Sequence, residues 1–589
     1  MSSLAHQGRS FKMAIRSSRL GFSALSDFSE LLPASREALD ELLQTVPGSA
    51  QAKPIFAIKV EPGSKTLARI RARLDSERWP DDPAIVAGAA AEPDTPAYKR
   101  VWYLERPAGE GAGTSASAQA FDNWMDGSVV RFVLEAGGQA DLEVVDVLGD
   151  SALVVRATVE EQLDIRRLFP ALQMMPSEAL YPQVVNVTSL NAGSPITVPP
   201  GAPAKSVAVA VTAGGQPVEG VIVRGYLTQA GYVQASTDAN GVCILRVPKL
   251  ATAQLLVSAI PEHSYWSSMH DVSLASGPSG VVSVSLDPLT PSWTPAFAPR
   301  LGPSHLEQDG KGVRVAVVDT GVSHDHPLVV VSGGACTVLG EADGLDWNDM
   351  TGHGTMVAGL IAARGDGVHL PRGLAPAAEL FAYRVFGRGS LRAEEVAVSK
   401  AIRQAVADGC HLINLSLGGR TPMLEIQRAM NWALTRGVVC VVAAGNDRRK
   451  TVSFPACCPE AIAVSAMGRT DGYPETSEFV LSETNDVGAD AKNYVSTFTN
   501  VGDYVDLCAP GVGIVSCWLG GKTAALNGTS FAAPLVTGLL ARTLSAPSGI
   551  AILQNSSGIN RAEAIKQLAA STATRFGFLP IHEGHGLPS

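Results

Sequence analysis

Short, continuously apolar runs separated by helical segments are the feature that most restricts this chain. Residues 313–318 (VRVAVV), 412–417 (LINLSL) and 438–442 (VVCVV) read as strands, whereas 393–408, 424–436 and 561–570 carry helical patterns. Apolar strands joined through helices predict an α/β fold, with a parallel sheet covered by helices on both faces. The chain has 589 residues, so at about 150 residues per domain it is expected to divide into three or four.

The sharpest boundary is the run 288–303, in which Pro288, Pro291, Pro295, Pro299 and Pro303 exclude both helix and ladder. Residues 289–303 therefore read as a semi-rigid linker and 304–589 as the α/β domain. Before it, 206–212, 221–227, 233–247, 253–259 and 281–286 are strand-like, with turns at Gly214-Gly215 and Asn240-Gly241. The latter pair predicts a hairpin, and with no helical pattern intruding, 200–288 reads as a small β-sandwich. The stretch 236–241 (STDANG) followed by a strand resembles Ig-like or transthyretin-like modules.

Further upstream, 142–148 and 152–158 read as strands, 159–169 as a helix and a final extended piece follows, so 126–190 is expected to be a small α+β domain. Residues 1–125 are poorly defined, with strand-like 54–60 and 100–104, a basic helix at 65–74 and a Gly/Ala/Ser-rich spacer at 109–120.

Composition excludes several classes. With 46% hydrophobic and 17% charged residues the chain is too apolar for disorder. A net charge of −10 and no Lys/Arg block argue against nucleic acid as a partner. No run reaches the roughly 18 apolar residues of a membrane span, and residues 1–19 are basic and Ser-rich without the apolar core of a secretory signal. The eight cysteines fall mostly in apolar runs, as free buried thiols in a reducing compartment do, and the adjacent Cys457 and Cys458 form no CxxC pattern.

Four short segments carry chemistry. Asp319 ends the strand in VRVAVVDTG, at the carboxyl end where open α/β sheets build sites; such an Asp also serves as a turn or helix-cap residue. His353, in TGHGTMVAG, opens a helix between two glycines that permit close backbone approach. A carboxylate holding its Nδ1–H frees Nε2 to act as a base. Ser530, in NGTSFAAP, lies in the first turn of an apolar helix, where unpartnered N–H groups and the dipole favour negative charge. Pro534 opposes the Ser530 carbonyl, so the helix is expected to open there; an N-cap role is the alternative for this Ser. Asn446, after the strand ending VAAGN, offers an amide to a developing oxyanion, a donor worth roughly 10²–10³ in rate, or else a simple turn.

The order Asp319, His353, Asn446, Ser530 and the segments DTGV, HGTMVAG, AAGN and NGTSFAAP closely resemble the subtilisin-like serine proteases, the subtilases, over about 313–588. The resemblance implies a serine endopeptidase acting on polypeptide substrates with no cofactor. Ser530 would be the nucleophile, His353 the proton shuttle, Asp319 its orienting partner, and Asn446 with the Ser530 N–H the oxyanion donors. It further implies that Ser416-Leu417-Gly418 pairs with substrate backbone. Ala443, Ala444 and Gly445 would wall the pocket for the side chain before the cut, with Asp447 at its rim favouring basic or long apolar side chains.

Departures from the family pattern are as specific as the matches. Leu328 follows His326-Pro327 where the family often places a calcium-binding Asp, and loop 364–369 supplies only Asp366, so no metal is expected. His324, Asp325 and His326 read as loop residues, and 471–494 as an acidic insertion that either shapes access to the site or is inert. Residues 142–181 loosely resemble the later half of a subtilase propeptide. Because a β-sandwich and linker follow it, product-like inhibition by its end is not expected, and a gating or partner-recruiting role for the N-terminal half is. The alternative class is a catalytically silent scaffold with a protease fold, which would require a catalytic position to be lost. Free thiols and the absent signal suggest a cytoplasmic location, whereas subtilases with propeptides are commonly exported. Oligomeric state is not legible.

Overall fold

The computed structural model describes residues 100–105, 129–133, 139–148, 152–169, 172–177, 179–184, 196–199, 202–227, 231–248, 254–273, 281–289, 309–341 and 346–589. The elements expected at 54–60 and 65–74, the 109–120 spacer and 290–303 of the linker lie outside them.

The centre is an eight-stranded sheet. Six strands run parallel in the order Val331–Cys336, Glu379–Arg384, Arg314–Asp319, Leu412–Leu415, Val439–Ala443 and Ala461–Arg469. Leu507–Pro510 joins the last of these in parallel, and Asn493–Val495 pairs with it antiparallel. Alternation explains the continuous apolar runs, since successive side chains leave opposite faces and both faces are buried. Val315, Val317, Val439 and Val441 enter one core with the helices His353–Ala362 and Thr529–Ser545. Ala316, Val318, Cys440 and Val442 enter the other with Glu395–Ala407 and Leu424–Leu434.

Local outcomes differ from the sequence pattern in three places. The 412–417 run divides: Leu412–Leu415 stays in the parallel sheet, and Leu417–Gly418 turns out to pair with another segment. Residues Ala393–Glu394 form a short strand, so the helix begins at Glu395. Around Pro534 the helix remains continuous from Thr529 to Ser545. The Ser530 carbonyl, which Pro534 cannot serve, accepts instead from Ser416 Oγ at 2.7 Å, so side-chain capture replaces the expected opening.

Upstream, five antiparallel strands lie in the order Val129–Val133, Gln139–Leu148, Ala152–Ala157, Arg100–Glu105 and Gln173–Pro176. The helix Val159–Leu168, started by a Thr158/Glu161 capping box, closes their core through Ile165. This sheet rests on the α/β domain where Ala152 and Val154 meet Val396 and Asp146 binds Lys400 Nζ at 2.6 Å.

Residues 204–285 form two further sheets around one apolar core. Gly214-Gly215, both at positive φ, make a two-residue turn between Ala204–Ala213 and Gln216–Pro217. Asn240-Gly241 does not make the expected hairpin. Gly231–Ser236 pairs within one sheet and Val242–Pro248 within the other, so the turn crosses between sheets. Asp238 Oδ1 holds it, accepting from the N–H groups of Asn240 and Val242.

The 471–494 segment fastens these sheets to the α/β domain. Phe479 meets Trp266 edge-on at 5.9 Å, Ser477 Oγ pairs with Ser267 Oγ at 2.9 Å, and the Met269 N–H donates to the Thr476 carbonyl. Glu478, buried in this contact beside Ser258, has its carboxyl pushed up to about 7 by burial, against the pull of Arg224. A carboxyl raised above its ordinary value of 4.5 favours the folded state at acid pH and loses that contribution as pH rises through 7. Thermal stability is therefore expected to fall between pH 5 and pH 8, and Glu478→Gln to flatten that fall. Scanning calorimetry across the range checks this; equal slopes in both proteins would refute it.

Candidate active site

Four residues meet where the parallel strands end. Asp319, the last residue of its strand, is fully buried, and its Oδ1 lies 2.6 Å from His353 Nδ1. The same oxygen accepts the Thr320 N–H at 2.7 Å. His353 is the first residue of its helix, and the flanking glycines have specific causes. Gly352 sits at φ 93° with any Cβ driven to 2.7 Å from the Trp518 ring, and a Cβ on Gly354 would lie 2.0 Å from the Gly321 carbonyl.

The helix start is organised by Asp349, a buried carboxylate that sequence reasoning missed. Its Oδ1 accepts from Thr351 N–H, Gly352 N–H and Thr320 Oγ, and its Oδ2 from Thr355 N–H and Oγ. Thr320 Oγ in turn accepts the Gly354 N–H. The signal was present as an acidic residue shortly before the helix, where free N–H groups and the dipole call for one.

Ser530 lies in the first turn of its helix behind Gly528. Its Oγ donates to the Ser416 carbonyl at 2.9 Å, and His353 Nε2 has no hydrogen-bond partner among the described residues. The serine–histidine link is thus not made in this arrangement. Asn446 is fixed by Thr529, whose N–H and Oγ donate to its Oδ1 at 3.0 and 2.9 Å. That leaves Nδ2, which is buried without a hydrogen-bond partner, as a ready donor.

The cleft is occupied by the chain itself. Ala179–Pro182 lies between two edges, antiparallel to Leu417–Gly418 on one side and to Ala393–Glu394 on the other. The Gln183 N–H donates to the Ser416 carbonyl at 3.1 Å, and the Gln183 carbonyl accepts from the Ser530 N–H at 3.0 Å. A Cβ on Gly528 would lie 2.4 Å from that carbonyl and 3.1 Å from Val184 Cα. Leu180 is buried with Leu417 and Met423, and Gln183 Nε2 donates to the Gly418 carbonyl. Product-like placement of this segment's end is not expected from the sequence, yet residues 179–183 lie in the cleft despite the modules that follow them.

The remaining expected pocket residues gather nearby. Ala444 is buried in the core shared with Leu417, Ala443 in the core beneath the Ser530 helix, and the Gly445 N–H donates to Thr529 Oγ. Asp447 is not a free acidic rim: Asn500 Nδ2, Ser453 Oγ and Arg420 all reach its carboxylate. Asp366 is spent on the N–H groups of Val368, His369 and Leu370, and Asp325 on Ser323 Oγ. Among the described residues no group of three or more His, Cys, Asp or Glu could hold a metal ion.

A helix-covered parallel sheet with a buried Asp–His pair, a serine at a helix start and an amide beside it defines an α/β hydrolytic enzyme. Comparison makes that specific. A model of the subtilase family matches residues 310–586. Subtilisin BL of Lederbergia lenta is 38% identical over 235 residues, 39% of this chain and 76% of that protein. Subtilisin Savinase, also of Lederbergia lenta, is 38% identical over 232 residues, again 39% and 76%. The M-protease of Shouchella clausii is 38% identical over 232 residues, 39% of this chain and 54% of that protein. The chain belongs to the subtilase family and is a subtilisin-like serine endopeptidase.

Replacing Asp349 by Ala leaves several buried donors unpaired, a loss of about 3 kcal/mol. Asp349→Ala is expected to unfold at lower temperature and to hydrolyse peptides more slowly. A variant with wild-type melting and wild-type kcat/KM would refute the role.

Proposed function

We propose that Ser530, His353 and Asp319 are the catalytic set of this endopeptidase and that the N-terminal half is its built-in inhibitor, made as a zymogen. The observation that carries this reading is the Gln183 carbonyl held by the Ser530 N–H, the position of a scissile carbonyl with Gln183–Val184 as the bond to be cut.

In the reaction the Ser530 hydroxyl leaves the Ser416 carbonyl and attacks the substrate carbonyl carbon, passing its proton to His353 Nε2. Asp319 holds the opposite N–H and stabilises the imidazolium. The oxyanion takes hydrogen bonds from the Ser530 N–H and from Asn446 Nδ2, whose freedom from other partners suits a donor reserved for charge that appears only in the transition state. Collapse expels the amine with the proton from His353, and water repeats the sequence to release the acyl group. Ser416, Leu417 and Gly418 bind substrate as an added strand, with Ala443, Ala444, Gly445 and Asp447 around the side chain before the cut.

Cleavage at Gln183–Val184 separates the five-stranded domain from the catalytic part. The 204–285 sheets, which we read as a β-sandwich module, remain in the same chain as the catalytic part and packed on it through Phe479 and Trp266. Since Asp447 is already engaged by Arg420 and Asn500, attraction for basic side chains is muted, and Gln or Leu before the cut should be favoured over Glu. Peptides differing only at that position test this; a preference for Glu would sink it.

Two variants test the central reading. Wild-type protein is expected to yield a fragment beginning at Val184, and Ser530→Ala to keep its full mass. Identical masses would count against self-processing. Asn446→Ala should lower kcat by roughly 10²–10³ while KM moves little, and labelling by a fluorophosphonate should vanish in Ser530→Ala. A wild-type protein that never labels would favour the silent-scaffold alternative.

A further inference from the structure

All eight cysteines are free thiols, and seven are buried; Cys457 is half-buried, and the next residue is a second thiol. Burial pushes Cys243 up to about 11 and Cys410, Cys440 and Cys517 up to about 12, which keeps those four protonated and unreactive. The adjacent pair behaves differently: the interaction between the two thiols holds Cys457 below the ordinary thiol value, and the same interaction together with burial pushes Cys458 up. Cys457 is thereby a thiolate-forming, reachable nucleophile beside a protonated partner.

The pair also sits in the wall of the cleft. The Cys457 N–H donates to the Ser453 carbonyl and the Cys458 N–H to the Pro455 carbonyl, both at 3.0 Å, which ties them to a turn beginning at Ser453. In that turn Phe454 exchanges backbone hydrogen bonds with Gly419, next to the strand that receives the 179–183 segment. Ser453 Oγ reaches Asp447, and Cys458 is buried in the same core as Phe454, Met423, Leu417 and Leu180. The turn that carries both sulfurs is thus bonded through Phe454 to Gly419 beside the peptide-binding edge, whereas Ser530, His353 and Asn446 lie on other segments.

We propose that Cys457–Cys458 is a thiol-exchange site for small-molecule disulfides, and that its oxidation loosens the Phe454 wall and weakens peptide binding. In the first step the Cys457 thiolate attacks a disulfide RS–SR, forming Cys457–S–SR and releasing RS⁻. Cys458 then loses its proton and attacks the Cys457 sulfur, closing Cys457–S–S–Cys458 and releasing a second RS⁻. Two protein thiols are oxidised and one disulfide is reduced to two thiols. Neighbouring Cα atoms are about 3.8 Å apart, shorter than the usual 4.4–6.8 Å of disulfides, so the closed pair is strained and easily reduced again.

The effect on binding rests on the peptidase reading; the chemistry of the pair does not, so it is tested separately. Full-length protein is treated with oxidised glutathione and mapped by peptide mass spectrometry. Wild type is expected to close the 457–458 pair, Cys458→Ser to stop at a glutathione adduct on Cys457, and Cys457→Ser to remain unmodified. Modification of Cys457→Ser equal to wild type, or a wild-type adduct that never closes, overturns the site. In the kinetic arm, oxidised wild type is expected to show KM raised several-fold with kcat kept, reversed by dithiothreitol and absent in both variants. Unchanged KM in protein mapped as closed overturns the coupling to the cleft while leaving the exchange chemistry standing.

Discussion

Backbone donors and acceptors along Leu417–Gly418 must be paired by something, and much of the molecule follows from that requirement. A strand edge left open attracts another strand, and here Ala179–Pro182 supplies it, with Ala393–Glu394 on the far side. In the proposed reading the geometry that accepts this segment of the chain is the one that accepts a peptide substrate. Its register, fixed by these pairings, carries the Gln183 carbonyl to the Ser530 N–H. On that reading, substrate recognition and self-occupation are one interaction with two sources of peptide.

Chemistry gathers at this edge because parallel strands end there together. Asp319, Ser416 and Asn446 lie at or just beyond the ends of three neighbouring strands, and two helices begin beside them with unpaired N–H groups. Asp349 uses one set of those groups to fix His353, and Ser530 contributes another to the carbonyl it holds. Donors that stabilise the helix starts are thus also the means of positioning charge, which links stability to activity at this end of the sheet.

Much of the site was legible because each member sits in a local pattern set by backbone needs. Asp319 closes an apolar run, His353 lies between glycines forced by Trp518 and Gly321, and Ser530 follows Gly528 where side chains would strike Gln183. The fold was legible for a similar reason: burial on both sides makes strands continuous rather than alternating. What escaped was non-local. Nothing near Asn240-Gly241 says that the two flanking strands join different sheets, and nothing in 471–494 says that Phe479 will meet Trp266, more than two hundred residues away.

Sequence alone pointed to the parallel sheet, to four residues that meet at its end and to the family of the chain, since these depend on short-range spacing and on burial that composition and pattern encode. Tertiary structure decided who occupies the cleft, which way the Ser530 hydroxyl points, and that Asp447 is tied to Arg420 and Asn500. Those outcomes turn on contacts between segments far apart in the chain, where hydrogen-bond geometry of a few tenths of an ångström selects one partner over another, and no local pattern records that choice.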